Sequence, residues 1–152
     1  MFAIVRIRST AGVNREIDDT LKMLRLNDIN NCVIVPETND YKGMIRKVKD
    51  FVTWGEIEKG VLAKMVEKRS RLLGDDRLEG KTLKEITGFD SFEKFADALI
   101  SEKTKLKDFE KIKPFFRLTP PSKGFKSAEE SYPKGDLGYR GKEINELLER
   151  MI

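Results

Sequence analysis

Two hydrophobic periods alternate along the first third of this chain, and one of them governs most of the rest. From Phe2 to Arg8 the pattern has period two. Ala3, Val5 and Ile7 fall on one face, and Phe2, Ile4, Arg6 and Arg8 on the other. This predicts a strand whose second face turns basic at its far end. Ser9 to Gly12 breaks it. Asn14 then suits a helix cap, and Ile17, Leu21 and Leu24 follow at core spacing. Asp18 and Asp19 lie in the first turn and Lys22 and Arg25 in the last, the order a helix dipole favours. Leu26 to Asn31 reads as a loop. Cys32 to Val35 reads as a second, fully buried strand, stopped by Pro36. Asn39 or Asp40 opens a second helix with Met44, Val48 and Phe51 on one stripe, and Phe51 to Ile57 reads as a third strand containing Trp54.

Beyond residue 58 the helical period dominates. Ile57, Val61, Leu62, Met65, Val66 and Leu72 form an amphipathic stripe that stops at Gly74, with Lys68-Arg-Ser-Arg71 over its last turn. Thr82 to Glu85 and Asp90 to Glu93 read as capping boxes. The second of these starts a helix burying Phe92, Phe95, Ala96, Leu99 and Ile100. Leu106, Phe109 and Ile112 predict one more short helix, and Ile144, Leu147, Leu148 and Met151 a final one. The fold class is therefore α+β. A small two-layer sandwich with a β-α-β-α-β core occupies 1–58, since each helix has a single face with which to cover a sheet. A helical subdomain spans 59–113. A basic arm, a glycine-rich loop and the C-terminal helix fill 114–152.

Composition removes several classes of function. The chain has 39% hydrophobic and 37% charged residues, and no apolar run long enough for a membrane span. Its start lacks the pattern of a signal peptide. One cysteine, Cys32, makes no internal disulfide, which fits a reducing compartment. There is no histidine, so Ser–His and Cys–His nucleophiles and most zinc sites are absent. Gly135, Gly138 and Gly141 follow no strand of a phosphate-cradling motif. The expectation is no catalytic residue, no metal, no cofactor and no small-molecule substrate.

The informative charges are local. Residues 114–126 carry Arg117, Lys123 and Lys126 and no acid, in a chain whose net charge is only +4. The same stretch holds Phe115, Phe116 and Phe125 and three prolines, which argue against regular helix or sheet. Cations among aromatics on irregular backbone suit phosphates and unpaired bases. Phe115 and Phe116 suit an arm's own core contacts at least as well. Lys42, Arg46, Lys47 and Lys49 form a second basic surface, on the helix before the third strand, with no acid from Lys42 until Asp50 and no i,i+4 acid partner for Arg46 or Lys47 within the helix. Arg6, Arg8 and Arg15 extend it if the first strand's end and the first helix's start are adjacent. Gly124, Gly138 and Gly141 permit close approach to a nucleic-acid backbone, and Phe125 or Tyr139 suits stacking on an extruded base.

Long segments of the chain resemble a known family. They are Ala3-Ile-Val-Arg-Ile-Arg8, Asp19-Thr-Leu-Lys-Met-Leu-Arg-Leu26 and Tyr41-Lys-Gly-Met-Ile-Arg-Lys-Val-Lys-Asp-Phe-Val-Thr-Trp-Gly-Glu-Ile57. Later come Lys113-Pro-Phe-Phe-Arg-Leu-Thr-Pro-Pro-Ser-Lys-Gly124, Gly135-Asp-Leu-Gly-Tyr-Arg-Gly141 and Leu147-Leu-Glu-Arg-Met151. Together they resemble the large-subunit ribosomal protein L-thirty family in its long archaeal form, related to eukaryotic L-seven. The resemblance implies a three-stranded antiparallel sheet with two helices on one face, somewhat ferredoxin-like. It also implies a non-catalytic, cytoplasmic ribosomal protein whose partners are large-subunit ribosomal RNA and other ribosomal proteins. By the same resemblance Arg46, Lys47 and Lys49 match the family's basic helix, and Arg117, Lys123, Gly124 and Arg140 match its tail. The modest net charge departs from the strong basicity common in ribosomal proteins. The alternative reading is a protein-interaction module, with the basic segments meeting acidic partners and Pro120-Pro121 lying in a partner's groove.

Overall fold

The computed structural model describes residues 1–9 and 11–152; Thr10, inside the predicted break at Ser9 to Gly12, lies outside the described residues. In chain order the elements are β1 (Phe2–Arg6), α1 (Arg15–Met23), β2 (Asn31–Val35), α2 (Asn39–Lys47) and β3 (Val52–Glu56). Then come α3 (Lys59–Arg69), α4 (Gly80–Thr87), α5 (Phe92–Ile100), β4 (Phe116–Arg117), β5 (Gly138–Tyr139) and α6 (Ile144–Met151). The strands form one sheet in the order β4-β2-β1-β3-β5. β1 lies antiparallel between β2 and β3, with Val5 opposite Cys32 and Thr53.

The α+β class and the β-α-β-α-β beginning are as the sequence predicts. The sheet, however, has five strands among the described residues, not three. The tail supplies both extra edges. Cys32 pairs with Phe116 on one side, antiparallel, and Thr53 with Gly138 on the other, parallel. The prolines of 114–126 therefore do not exclude sheet. Pro114 and Pro120 flank Phe116 and Arg117, whose own N–H groups are free to pair at an edge.

Burial explains the layers. All of β1 is buried. Phe2 and Ile4 pack with Leu21, Leu24, Ile45 and Val48 of the α1–α2 layer. Ala3 and Val5 pack on the opposite side with residues of α3, α5 and α6, such as Met65, Phe95 and Leu147. The helical second half thus covers the sheet face that α1 and α2 leave open. Gly55 makes this packing possible: a Cβ there would lie 1.9 Å from the Gly141 carbonyl oxygen, ahead of α6.

The cap of α1 is the predicted one, and later helix starts differ by a residue or more. The Asn14 side chain caps α1, accepting from the Glu16 N–H at 3.2 Å. Thr38, one residue before Asn39, caps α2. Ser91, not Asp90, caps α5, and Asp90 instead pairs with Lys84 at 2.8 Å. α4 begins at Gly80, so Thr82 sits inside it and forms no capping box. The helix expected around Leu106 to Ile112 is only a 3-10 turn, Leu106–Asp108.

One topological consequence positions the charges. β2, β3 and β5 all run away from the sheet end where β1 finishes. The helices that follow them, α2, α3 and α6, therefore return toward that end. Hydrogen bonds tie it together: Ile7 N–H to Phe51 O, Asn30 N–H to Arg6 O, Leu118 N–H to Asn30 O and Thr119 N–H to Met151 O.

Candidate nucleic-acid interface

The end of β1 and the start of α1 both meet the end of α2. The Arg8 N–H donates to Phe51 O at 3.2 Å, and its guanidinium lies 5.5 Å over the Phe51 ring, just past α2. Lys47 reaches across to Glu16 of α1 at 3.2 Å, and Arg15 sits 3.7 Å from Asp19. Arg46 and Lys49 are exposed and make no ion pair among the described residues. The structure thus brings Arg8, Arg15, Arg46, Lys47 and Lys49 together where β1, α1 and α2 meet. Lys42 stands apart, at the start of α2, 2.8 Å from Glu37 and 5.9 Å over the Phe2 ring.

Two predicted contacts are internal. Arg6 is only 4% exposed. Its guanidinium donates to Leu26 O at 2.8 Å, to Arg8 O at 2.9 Å and to Asn27 O. Burial pulls its pKa down, opposed by Asp18 and Asp28. Arg140 is 7% exposed. Its Nη2 donates to Asp136 Oδ1 at 2.7 Å and Asp136 O at 2.8 Å, and its Nε to Thr53 Oγ1 at 2.9 Å. Thr53 Oγ1 in turn donates to Gly138 O at 3.0 Å, so this network fastens β5 to β3. Both arginines spend their donors on the fold because an unpaired buried guanidinium is costly.

The remaining tail residues do not form one strip. Arg117, on edge strand β4, is exposed, 3.5 Å from Asp75 and 5.8 Å over the Phe115 ring. Tyr139 is on the opposite edge. It is 53% exposed, with its ring 6.2 Å from Trp54 and its hydroxyl donating to Glu56 at 2.5 Å. That bond to a carboxylate raises the phenol's pKa. Lys123 and Gly124 form an exposed turn with φ of 70° and 72°. Phe125 packs half-buried against the core under α3, α5 and α6, and the Lys126 N–H donates to Asp136 at 2.5 Å. Phe116 is fully buried. Pro121 is buried too, so Pro120-Pro121 is not a free ligand for a groove.

Sequence reading missed Glu16 and Asp136 as partners of Lys47 and Arg140. Glu16 lies in a different helix from Lys47, beyond any local spacing rule. Asp136 and Arg140 are four apart, but they flank the short strand β5 and not a helix, so the helical spacing rule carries no meaning there. Burial pushes the Cys32 thiol well above its ordinary pKa, which suits an inert core group. Among the described residues no cluster of acids and cysteine is suited to a metal, and no helix is long and apolar enough to cross a membrane.

Residues 2–52 match the family model described as ribosomal protein L30p/L7e. The chain is 48% identical over 151 residues to the large ribosomal subunit protein uL30 of Archaeoglobus fulgidus, covering 99% of each. It is 47% identical over 153 residues to that of Methanosphaera stadtmanae, covering all of both, and 47% identical over 152 residues to that of Methanocorpusculum labreanum. These matches extend over essentially the whole chain, and so span the β4, β5 and α6 segments that lie outside the family model; the chain belongs to the ribosomal protein L30p/L7e family.

Proposed function

We propose that this chain is a structural constituent of the large ribosomal subunit in the cytoplasm, and that it binds folded ribosomal RNA through the cationic cluster at the meeting of β1, α1 and α2. The carrying observation is the convergence of Arg8, Arg15, Arg46, Lys47 and Lys49 from three elements, with Arg46 and Lys49 unpaired among the described residues. Such a cluster neutralises closely spaced phosphates and releases their counterions. Shape rather than base identity sets the preference, because the A-form major groove excludes side chains. Tyr139 offers a stacking face at the β5 edge, and Lys123 and Lys126 offer further phosphate contacts. Large-subunit RNA and neighbouring ribosomal proteins are the partners.

The test uses full-length protein and transcribed large-subunit ribosomal RNA in a filter-binding assay. Arg46→Glu with Lys47→Glu is expected to weaken binding roughly ten- to a hundredfold at physiological salt while leaving the thermal melt unchanged. Equal affinity of two folded proteins removes the cluster from the interface.

A further inference from the structure

The C-terminal end of α3 is basic. Lys68 and Arg69 occupy the last turn. Arg71 and Arg77 then face each other across an antiparallel bridge. Like charges directly opposite destabilise such a pair. Asp75, whose carboxylate also feels Arg71, is already held by Lys113 and Arg117. Lys68, Arg71 and Arg77 make no ion pair of their own among the described residues. They line an open groove of about 390 Å³ with Arg69, Ile152 and one acid, Glu67. Arg69 is spent on the fold, donating to Ile152 O at 2.6 and 3.0 Å and to Thr119 at 3.2 Å.

We propose that Lys68, Arg71 and Arg77 form a second phosphate-binding site for RNA, on the opposite side of the sheet from the α1–α2 cluster but at the same end of it. The shared end follows from the topology. α2 and α3 return to it over opposite faces, and Arg69 connects to Arg6 through Thr119, Leu118 and Asn30. Two cationic groups therefore flank the end of the sheet, and one RNA element lying across that end meets both. Cations left unpaired and set against each other cost the free protein stability, and an anionic backbone relieves that cost. This inference rests on the RNA-binding reading above.

The experiment measures the salt dependence of binding of the full chain to transcribed large-subunit ribosomal RNA. Each lost phosphate contact lowers the slope of log K against log salt by just under about one unit. Three triple variants are compared, each removing three positive charges. Lys68→Gln/Arg71→Gln/Arg77→Gln is expected to lower the slope by about two to three units. Arg46→Gln/Lys47→Gln/Lys49→Gln is expected to lower it by a similar amount. Lys103→Gln/Lys105→Gln/Lys107→Gln, of which Lys105 and Lys107 line a pocket with Met1 and Pro36 at the other end of the sheet, is expected to leave it unchanged. A normal slope in the first variant with a reduced one in the second overturns the second site alone. Equal losses in the first and third overturn it as well, since net charge then explains both. Unchanged slopes in the first two overturn the RNA reading itself. Lys68→Gln/Arg77→Gln, which spares the half-buried Arg71, repeats the first arm should the triple variant melt early.

Discussion

Arg140 separates two roles that a basic residue in a tail segment can have. Its guanidinium is buried against Asp136, itself 3% exposed, and both lie beside Thr53. Arg140→Ala leaves the Asp136 carboxylate in the interior with no cation. Removing one partner of a buried pair costs about 3–5 kcal/mol. The bonds to Thr53 Oγ1 and Asp136 O go as well, loosening β5 from β3. A domain of this size has about 5–15 kcal/mol of stability in all. With a urea dependence of about 2 kcal/mol per molar, the unfolding midpoint is expected to fall by about 1.5–2.5 M. Arg140→Met with Asp136→Leu removes both charges, and is expected to recover most of the loss. The assay is urea unfolding followed by circular dichroism, with filter binding to transcribed ribosomal RNA on the same samples. A midpoint shift below about 0.5 M, with a reduced salt slope in binding, refutes the reasoning and makes Arg140 a phosphate contact.

Two further perturbations test the surroundings of the sheet. Cys32 is fully buried in β2 and its thiolate is strongly disfavoured, so the native protein is expected not to react with a thiol-specific disulfide reagent until urea unfolds it; prompt native labelling refutes the packing of α3, α5 and α6 on the sheet. Asp75 has its pKa lowered, first by the Lys113 hydrogen bond and then by Lys113, Arg117 and Arg71 charges. A depressed folded pKa means stability present above the ordinary carboxylate range and lost as pH falls through the lowered value. The thermal melt of wild type is therefore expected to drop below pH 4 slightly more than that of Asp75→Asn, and parallel acid curves refute the pairing.

Local pattern carried most of the fold. β1, α1, β2, α2 and β3 lie where their periods put them, because alternation and the 3.6-residue stripe reflect burial that both faces of this sheet demand. The misses share a cause. β4 and β5 are two residues each and have no period; they exist only because edges of β2 and β3 offer unpaired backbone. Thr82 carried a cap signal but fell inside a helix already begun at Gly80. On α2, Arg46 and Lys47 were legible as exposed cations because a helix with one apolar stripe shows its outer face directly, whereas Lys49 lies in the turn past the helix end. Arg6 and Arg140 were not legible as buried, since the groups that bury them, Leu26 and Asn27 carbonyls in one case and Thr53 and Asp136 in the other, are assembled by tertiary structure.

Net charge is a sum, where the field is a distribution. α2 begins with Asp40 and ends with Arg46 and Lys47; α6 has Glu146 in its first turn and Arg150 in its last; α3 ends with Lys68 and Arg69. Each follows the ordinary preference for cations at a helix C-terminus. In a bundle of alternating direction those preferences cancel over the surface. Here the strand directions send all three C-termini to one end of the sheet, so a local rule of helix stability gathers cations at one end. A chain of net charge +4 can then present a phosphate-binding end without being strongly basic overall.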